Sequence, residues 1–200
     1  MTMGVSGRNL VLEAVILIYV QQTLRKDRQL MDEEKVDRIH IYGLEKKAFW
    51  SFNGFNFMGY LDRLDGFHDD EIRIVDYKTG KVQDNEEKID QKNAADVVEK
   101  LFMVDSPSRP KIALQLFLYD KFMESDAKYA GKTFYNCIYK VPTLFTSGIN
   151  KIEKCKEFDD KVEEKLSELF DEMTDLSKSF RRTADTRLCG FCDFKNICGR

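Results

Sequence analysis

The chain predicts an α/β fold: a mixed central sheet, built on an antiparallel meander and flanked by helices. Three observations predict it. An apolar run of helical rather than strand-like length, Leu10–Val20, opens the chain. Three strand-type runs follow closely, Ile39–Trp50, Phe55–Leu64 and Glu71–Tyr77, separated by turn-type segments. Two helix-type segments, Lys111–Glu124 and Phe158–Lys178, then bracket a fourth strand-type run at Lys132–Val141.

Each element has its own warrant. Met1–Gly7 reads as a lead-in. Asn9 to about Arg28 predicts a mostly buried helix, apolar on nearly all sides until Gln21-Gln22. Asn53-Gly54 is the dipeptide a tight hairpin turn demands. Gly66-Phe67-His68-Asp69-Asp70 is a second turn-like stretch, centred near residue 69. Gly80–Ser108 reads as a long polar connection, charged at Asp84–Asp90 and followed by Pro107 and Pro110. In Lys111–Glu124, Leu114, Phe117, Leu118 and Phe122 mark one face, and Ile112, Gln115, Leu116 and Tyr119 another. Lys132–Val141 is rich in aromatic and β-branched residues. Phe158–Lys178 sets Val162, Leu166, Leu169, Phe170 and Met173 on its inner side.

Bulk properties narrow the class. Two hundred residues suit one domain with a real core, and 42% hydrophobic with 34% charged residues describe a soluble globular chain. The net charge of -3 means that any nucleic-acid contact must use local basic patches. Leu10–Val20 carries Glu13 and falls short of the roughly 20 apolar residues of a membrane helix. Five cysteines, an odd number with three near the C-terminus, argue against a secreted disulfide framework. They point to thiolate ligation in a reducing, cytoplasmic setting.

The chemistry concentrates on the meander. If Phe55–Leu64 and Glu71–Tyr77 form one hairpin about residue 69, Asp62 and Asp76 lie opposite each other and share a face. Lys78, two residues beyond Asp76, shares it too. Two carboxylates beside an ammonium suit Mg²⁺ with its waters and a phosphate, and the carbonyl of Tyr77 is a further oxygen ligand. A cross-strand ion pair on a surface hairpin is the plainer alternative. Gln115 and Tyr119, four apart, share one helix face. A glutamine there either satisfies a backbone group or belongs to a site. Arg63 and Asp65 either pair structurally or support the patch, and Glu45 ends the apolar strand His40–Leu44 nearby.

Gly59-Tyr60-Leu61-Asp62-Arg63-Leu64-Asp65, then Ile74-Val75-Asp76-Tyr77-Lys78-Thr79-Gly80, then Gln115-Leu116-Phe117-Leu118-Tyr119 resemble the RecB-type branch of the PD-(D/E)XK nucleases. The resemblance covers Leu44 to Tyr119 and the tail. It implies a restriction-endonuclease-like core over residues 1–180 and a cysteine-rich tail over 181–200. It further implies Mg²⁺ or Mn²⁺ held by Asp62 and Asp76, a catalytic Lys78, and Gln115 and Tyr119 at the active site and on DNA. The function implied is DNA-end processing beside a helicase subunit in recombinational repair.

The tail, Cys189-Gly190-Phe191-Cys192 and then Cys198, resembles the C-terminal iron–sulfur staple of AddB-type nuclease domains and of CRISPR-associated four-cysteine exonucleases. In those proteins a fourth thiolate of the [4Fe–4S] cluster precedes the nuclease core, whereas here no cysteine precedes Cys137. The resembling nucleases also carry a metal-binding histidine on a helix before the first strand. Here His40 falls on a strand and His68 in a turn. Both departures predict a fragment of a longer protein, weak in activity by itself. Two other readings stand beside the exonuclease: a non-catalytic nuclease-like module that binds DNA or docks a partner, and a metal-stabilised interaction module built on the cysteines.

Overall fold

A computed structural model describes residues 7–80, 82, 86–104, 108–144, 146, 149–179 and 181–200. The expected lead-in, apart from Gly7, and Pro107 lie outside the described residues. The helix α1 spans Arg8–Glu34. The meander follows as β1 (His40–Phe52), β2 (Phe55–Gly66) and β3 (Glu71–Lys78). Asn53 and Gly54, with φ of 48° and 80°, both take the positive φ that a two-residue turn matching strand twist requires. The second turn closes where the sequence places it. Arg63, Leu64 and Asp65 pair with Val75, Ile74 and Arg73, a register symmetric about residue 69. Gly66 is required there, because a Cβ would lie 2.4 Å from the Glu71 carbonyl oxygen.

Beyond β3 come β4 (Lys88–Ile89), α2 (Ala94–Phe102), α3 (Lys111–Ser125), β5 (Thr133–Lys140), β6 (Asn150–Lys151), β7 (Glu153–Lys154) and α4 (Lys156–Thr174). The main sheet has the order β1-β2-β3-β5-β6. β5 runs parallel to β3 and the other pairings are antiparallel, so the sheet is mixed. A parallel return needs a crossover, which α2 and α3 provide. β4 and β7 form a separate parallel pair.

α3 lies on one face of the sheet. Its Leu116, Tyr119, Phe122 and Met123 pack with Leu61, Leu64, Ile72, Ile74 and Ile138. Behind α3, Val97, Val98 and Leu101 of α2 meet Phe158, Val162, Leu166 and Phe170 of α4, with Phe117 between them. The far end of the β1–β2 hairpin joins this second core, Phe55 stacking on Phe170 at 4.0 Å. Each such side chain fully removed from water contributes about 1.5–3 kcal/mol.

Three expectations change. The Gly80–Ser108 connection holds a helix, α2, whose apolar Val97, Val98 and Leu101 sit between charged neighbours and are short in extent. On α4, Leu169 and Met173 are exposed, and the helix ends at Thr174 rather than Lys178. The largest correction concerns α1. Leu10, Val11, Leu12, Ile16, Leu17, Ile18 and Leu24 are about half exposed or more, so this apolar helix is not buried. It meets the sheet through its C-terminal part, where Asp27 is 7% exposed.

Candidate active site

On β3 the residues Ile72, Ile74, Asp76 and Lys78 alternate onto the face that α3 covers. Ile72 and Ile74 are sealed under the helix, Asp76 is 2% exposed, and the Lys78 side chain is 22% exposed. The strand therefore carries its apolar periodicity inward and delivers a carboxylate and an ammonium where the cover ends. α3 supplies the matching pair one turn apart. Gln115 Nε2 and the Tyr119 hydroxyl both donate to Asp76 Oδ1, at 2.9 and 3.0 Å. Gln115 Nε2 also donates to the Tyr119 oxygen at 2.5 Å, and Lys78 Nζ donates to Gln115 Oε1 at 2.6 Å.

The two oxygens of Asp76 differ. Oδ1 accepts two hydrogen bonds. Oδ2 is buried without one, although the Lys78 ammonium lies 2.8 Å away as an ion pair. The ammonium compensates the burial of that oxygen. Burial first, and the fields of Asp76 and Asp62 after it, push the Tyr119 hydroxyl well above the usual phenol range. Tyr119 therefore remains a donor to Asp76 throughout the physiological pH range.

Asp62 reaches the same row from β2. The β2–β3 register, continued by one residue past Arg63 and Val75, sets it against Asp76. Asp62 Oδ2 accepts the backbone N–H of Tyr77 at 3.0 Å. The alternation of β2 slips here: Leu61 and Leu64 both enter the core under α3, while Arg63 between them turns to the other face. Glu45 stands in the corresponding place on β1, between the pairs Leu44–Arg63 and Lys46–Leu61. It is exposed and has φ of 46°, uncommon for a residue with a side chain. The Tyr77 side chain points away from Asp76, its hydroxyl 3.2 Å from Arg63 Nη1.

Arg63 and Asp65 sit under the sheet rather than beside Asp76. Arg63 Nη1 donates to Asp27 Oδ2 at 2.7 Å, and its Nη2 pairs with Asp65. Asp65 accepts two bonds from Arg73, at 2.7 and 2.9 Å. The Tyr139 hydroxyl donates to Asp27 Oδ1 at 2.7 Å. The flanking acids outweigh burial and hold both guanidiniums firmly charged, Asp65 and Asp27 for Arg63 and Asp65 for Arg73. Asp27, Arg73 and Tyr139 were not anticipated as partners. The available signal was Arg73 itself, a charge between two isoleucines, paired across the strand with Asp65.

The cysteines of the tail lie apart from this site, near the C-terminus. Cys189, Cys192 and Cys198 are free thiols, and Phe191, Phe194 and Ile197 around them are largely exposed. Among the described residues no group of three or more His, Cys, Asp or Glu side chains is arranged to hold a metal ion. Three of the tail's basic residues, all exposed, bond within it: Arg182 to the Cys198 carbonyl, Arg187 to Asp185, Arg200 to Cys189 Sγ. His40 lies against Tyr42, and His68 faces Glu34.

The carboxylate pair does fit a hard divalent ion. Such an ion asks for one or two carboxylates and completes its shell with waters and substrate oxygens. Asp62 and Asp76 with one ammonium carry a formal charge of about -1 in a half-buried patch. Among the described residues no helix is long and apolar enough to cross a membrane. No curated protein matches this chain. The model of the PD-(D/E)XK nuclease superfamily, whose nucleases typically use Mg²⁺ or Mn²⁺, matches residues 5–199, and the chain belongs to that superfamily.

Proposed function

We propose that the chain is a deoxyribonuclease domain of the RecB/AddB type that hydrolyses phosphodiester bonds with Mg²⁺ or Mn²⁺. Its work is the processing of DNA ends in recombinational repair, beside a helicase subunit in the cytoplasm. The observation that supports this reading most is the buried Asp76 carboxylate, held by Gln115 and Tyr119 at Oδ1 and by the Lys78 ammonium at Oδ2, in register with Asp62. Asp62, Asp76 and the Tyr77 carbonyl are the groups to hold the ion. When bound, it polarises the phosphodiester and lowers the pKa of a bound water.

The chain's own groups have distinct tasks. Gln115 and Tyr119 fix the Asp76 carboxylate through Oδ1, while Oδ2 faces the Lys78 ammonium. Lys78 Nζ, held by Gln115 Oε1, offers its remaining protons to oxygens of the scissile phosphate and stabilises charge developing there. Glu45 flanks the entrance. A [4Fe–4S] cluster on Cys189, Cys192 and Cys198 rests on their spacing alone, and a brown anaerobic preparation of the longer protein would support it.

A second reading, a nuclease-like domain that docks a partner, draws on the exposed aliphatic surface of α1. The two separate in one assay: linear DNA is incubated with Mg²⁺ or Mn²⁺ and the wild type, Asp76→Ala or Lys78→Ala. Metal-dependent cleavage lost in both variants supports the nuclease. Cleavage that persists in both, or never occurs, leaves the docking module.

A further inference from the structure

The ion network under the sheet takes no part in phosphodiester chemistry, yet it occupies the same rows of strand as the carboxylates. Arg63 follows Asp62 on β2, and Tyr77 follows Asp76 on β3. The backbone pairing of β2 with β3 runs from Asp65–Arg73 to Arg63–Val75 and goes no further. Asp62 and Asp76 therefore stand just past the last rung between β2 and β3, while β3 stays paired with β5 through Lys78 and β2 with β1. Side chains take over that tie. The Tyr77 N–H donates to Asp62 Oδ2 at 3.0 Å, and the Tyr77 hydroxyl lies 3.2 Å from Arg63 Nη1. Arg63 Nη1 is anchored in turn on Asp27 Oδ2 at 2.7 Å, and the other Asp27 oxygen accepts from Tyr139.

We propose that Asp27 and Arg63 are positioning residues: through Tyr77 they hold Asp62 at the spacing from Asp76 that a divalent ion requires. This rests on the nuclease reading for its purpose, but not for its geometry. A carboxylate on α1, 36 residues before Arg63, thus acts on a site it does not touch. Partners standing behind metal ligands characteristically change metal affinity by about ten- to a hundredfold when removed.

The test uses Asp27→Asn and Tyr77→Phe, with Phe158→Leu in the α2–α4 core as a control that lowers stability remotely. Two readouts are taken on folded protein: Mn²⁺ affinity by calorimetry, and the amide proton shift of Tyr77 by NMR without metal. The expected result is an upfield move of the residue-77 amide, whichever side chain it carries, and a ten- to hundredfold weaker Mn²⁺ affinity in Asp27→Asn and Tyr77→Phe. The control should change neither. Wild-type values of both readouts in the two variants would overturn the proposal. Should Asp27→Asn not fold, Tyr77→Phe, which deletes one hydroxyl, decides alone. If the wild type binds no Mn²⁺, the nuclease reading fails, while the Tyr77 amide still decides whether Asp27 and Arg63 set the position of Asp62.

Discussion

The two faces of the sheet carry similar side chains to different ends. Under α1, Asp27 and Asp65 meet Arg63 and Arg73, two acids against two bases, almost fully sealed. Under α3, Asp76 pairs with Lys78 and Asp62 stands beside it in register, two acids against one base. The first cluster balances its charge internally and needs no ligand. The second is short by one positive charge and opens towards solvent at Lys78. Buried charge is tolerated where acids and bases balance, and a deficit of positive charge at a cleft marks where an outside cation fits.

That contrast can be broken by experiment, most severely at Asp76 and Lys78. Alanine at either is expected to slow metal-dependent DNA cleavage by about 10³-fold or more, measured under single-turnover conditions. The opposite face should answer in stability. Asp65→Asn or Arg73→Met leaves a buried charge without its partner and is expected to cost about 3–5 kcal/mol in urea denaturation. A smaller loss at Asp65 than at Asp76 would reverse the assignment of the two faces.

Finer tests sharpen the same division. Tyr119→Phe removes the hydroxyl donated to Asp76 Oδ1 and should cost about 0.5–1.5 kcal/mol of stability. Cleavage should slow by about tenfold, read at saturating metal. The smallest effect concerns Cys137, on β5 beneath the sheet near Arg73. Burial pushes its thiol up to about 12, so at pH 8 it stays protonated and sealed. A maleimide should modify the exposed Cys192 at once and Cys137 only at the rate at which that face opens. Rapid labelling of Cys137 would show that the α1 face is not closed.

Local pattern made much of this legible. The four long strands, both turns and the placing of Asp62 opposite Asp76, one residue past the last paired rung, follow from alternation and from Asn53-Gly54 and Gly66; the short β4, β6 and β7 were not anticipated. Gln115 and Tyr119 follow from helical spacing. The site's inner logic was less legible. Nothing in the residues around Asp62 shows that Arg63 turns away from it, because the slip in alternation depends on Leu61 and Leu64 both being drawn under α3. The exposure of α1 was misread because an apolar run shows a preference for burial, not the presence of something to bury it.

The sequence by itself therefore determined the strand and helix periods, the acidic pair, the lysine two residues on and the helix that meets them. These depend on repeats of two and 3.6 residues that any stretch of chain carries locally. The tertiary structure alone decided which oxygen of Asp76 takes Gln115 and Tyr119 and which takes Lys78, which face took Arg63 and Asp65, and that Asp27 and Arg73 would neutralise them. Those outcomes depend on partners far apart in the chain, and only packing brings them within hydrogen-bonding distance.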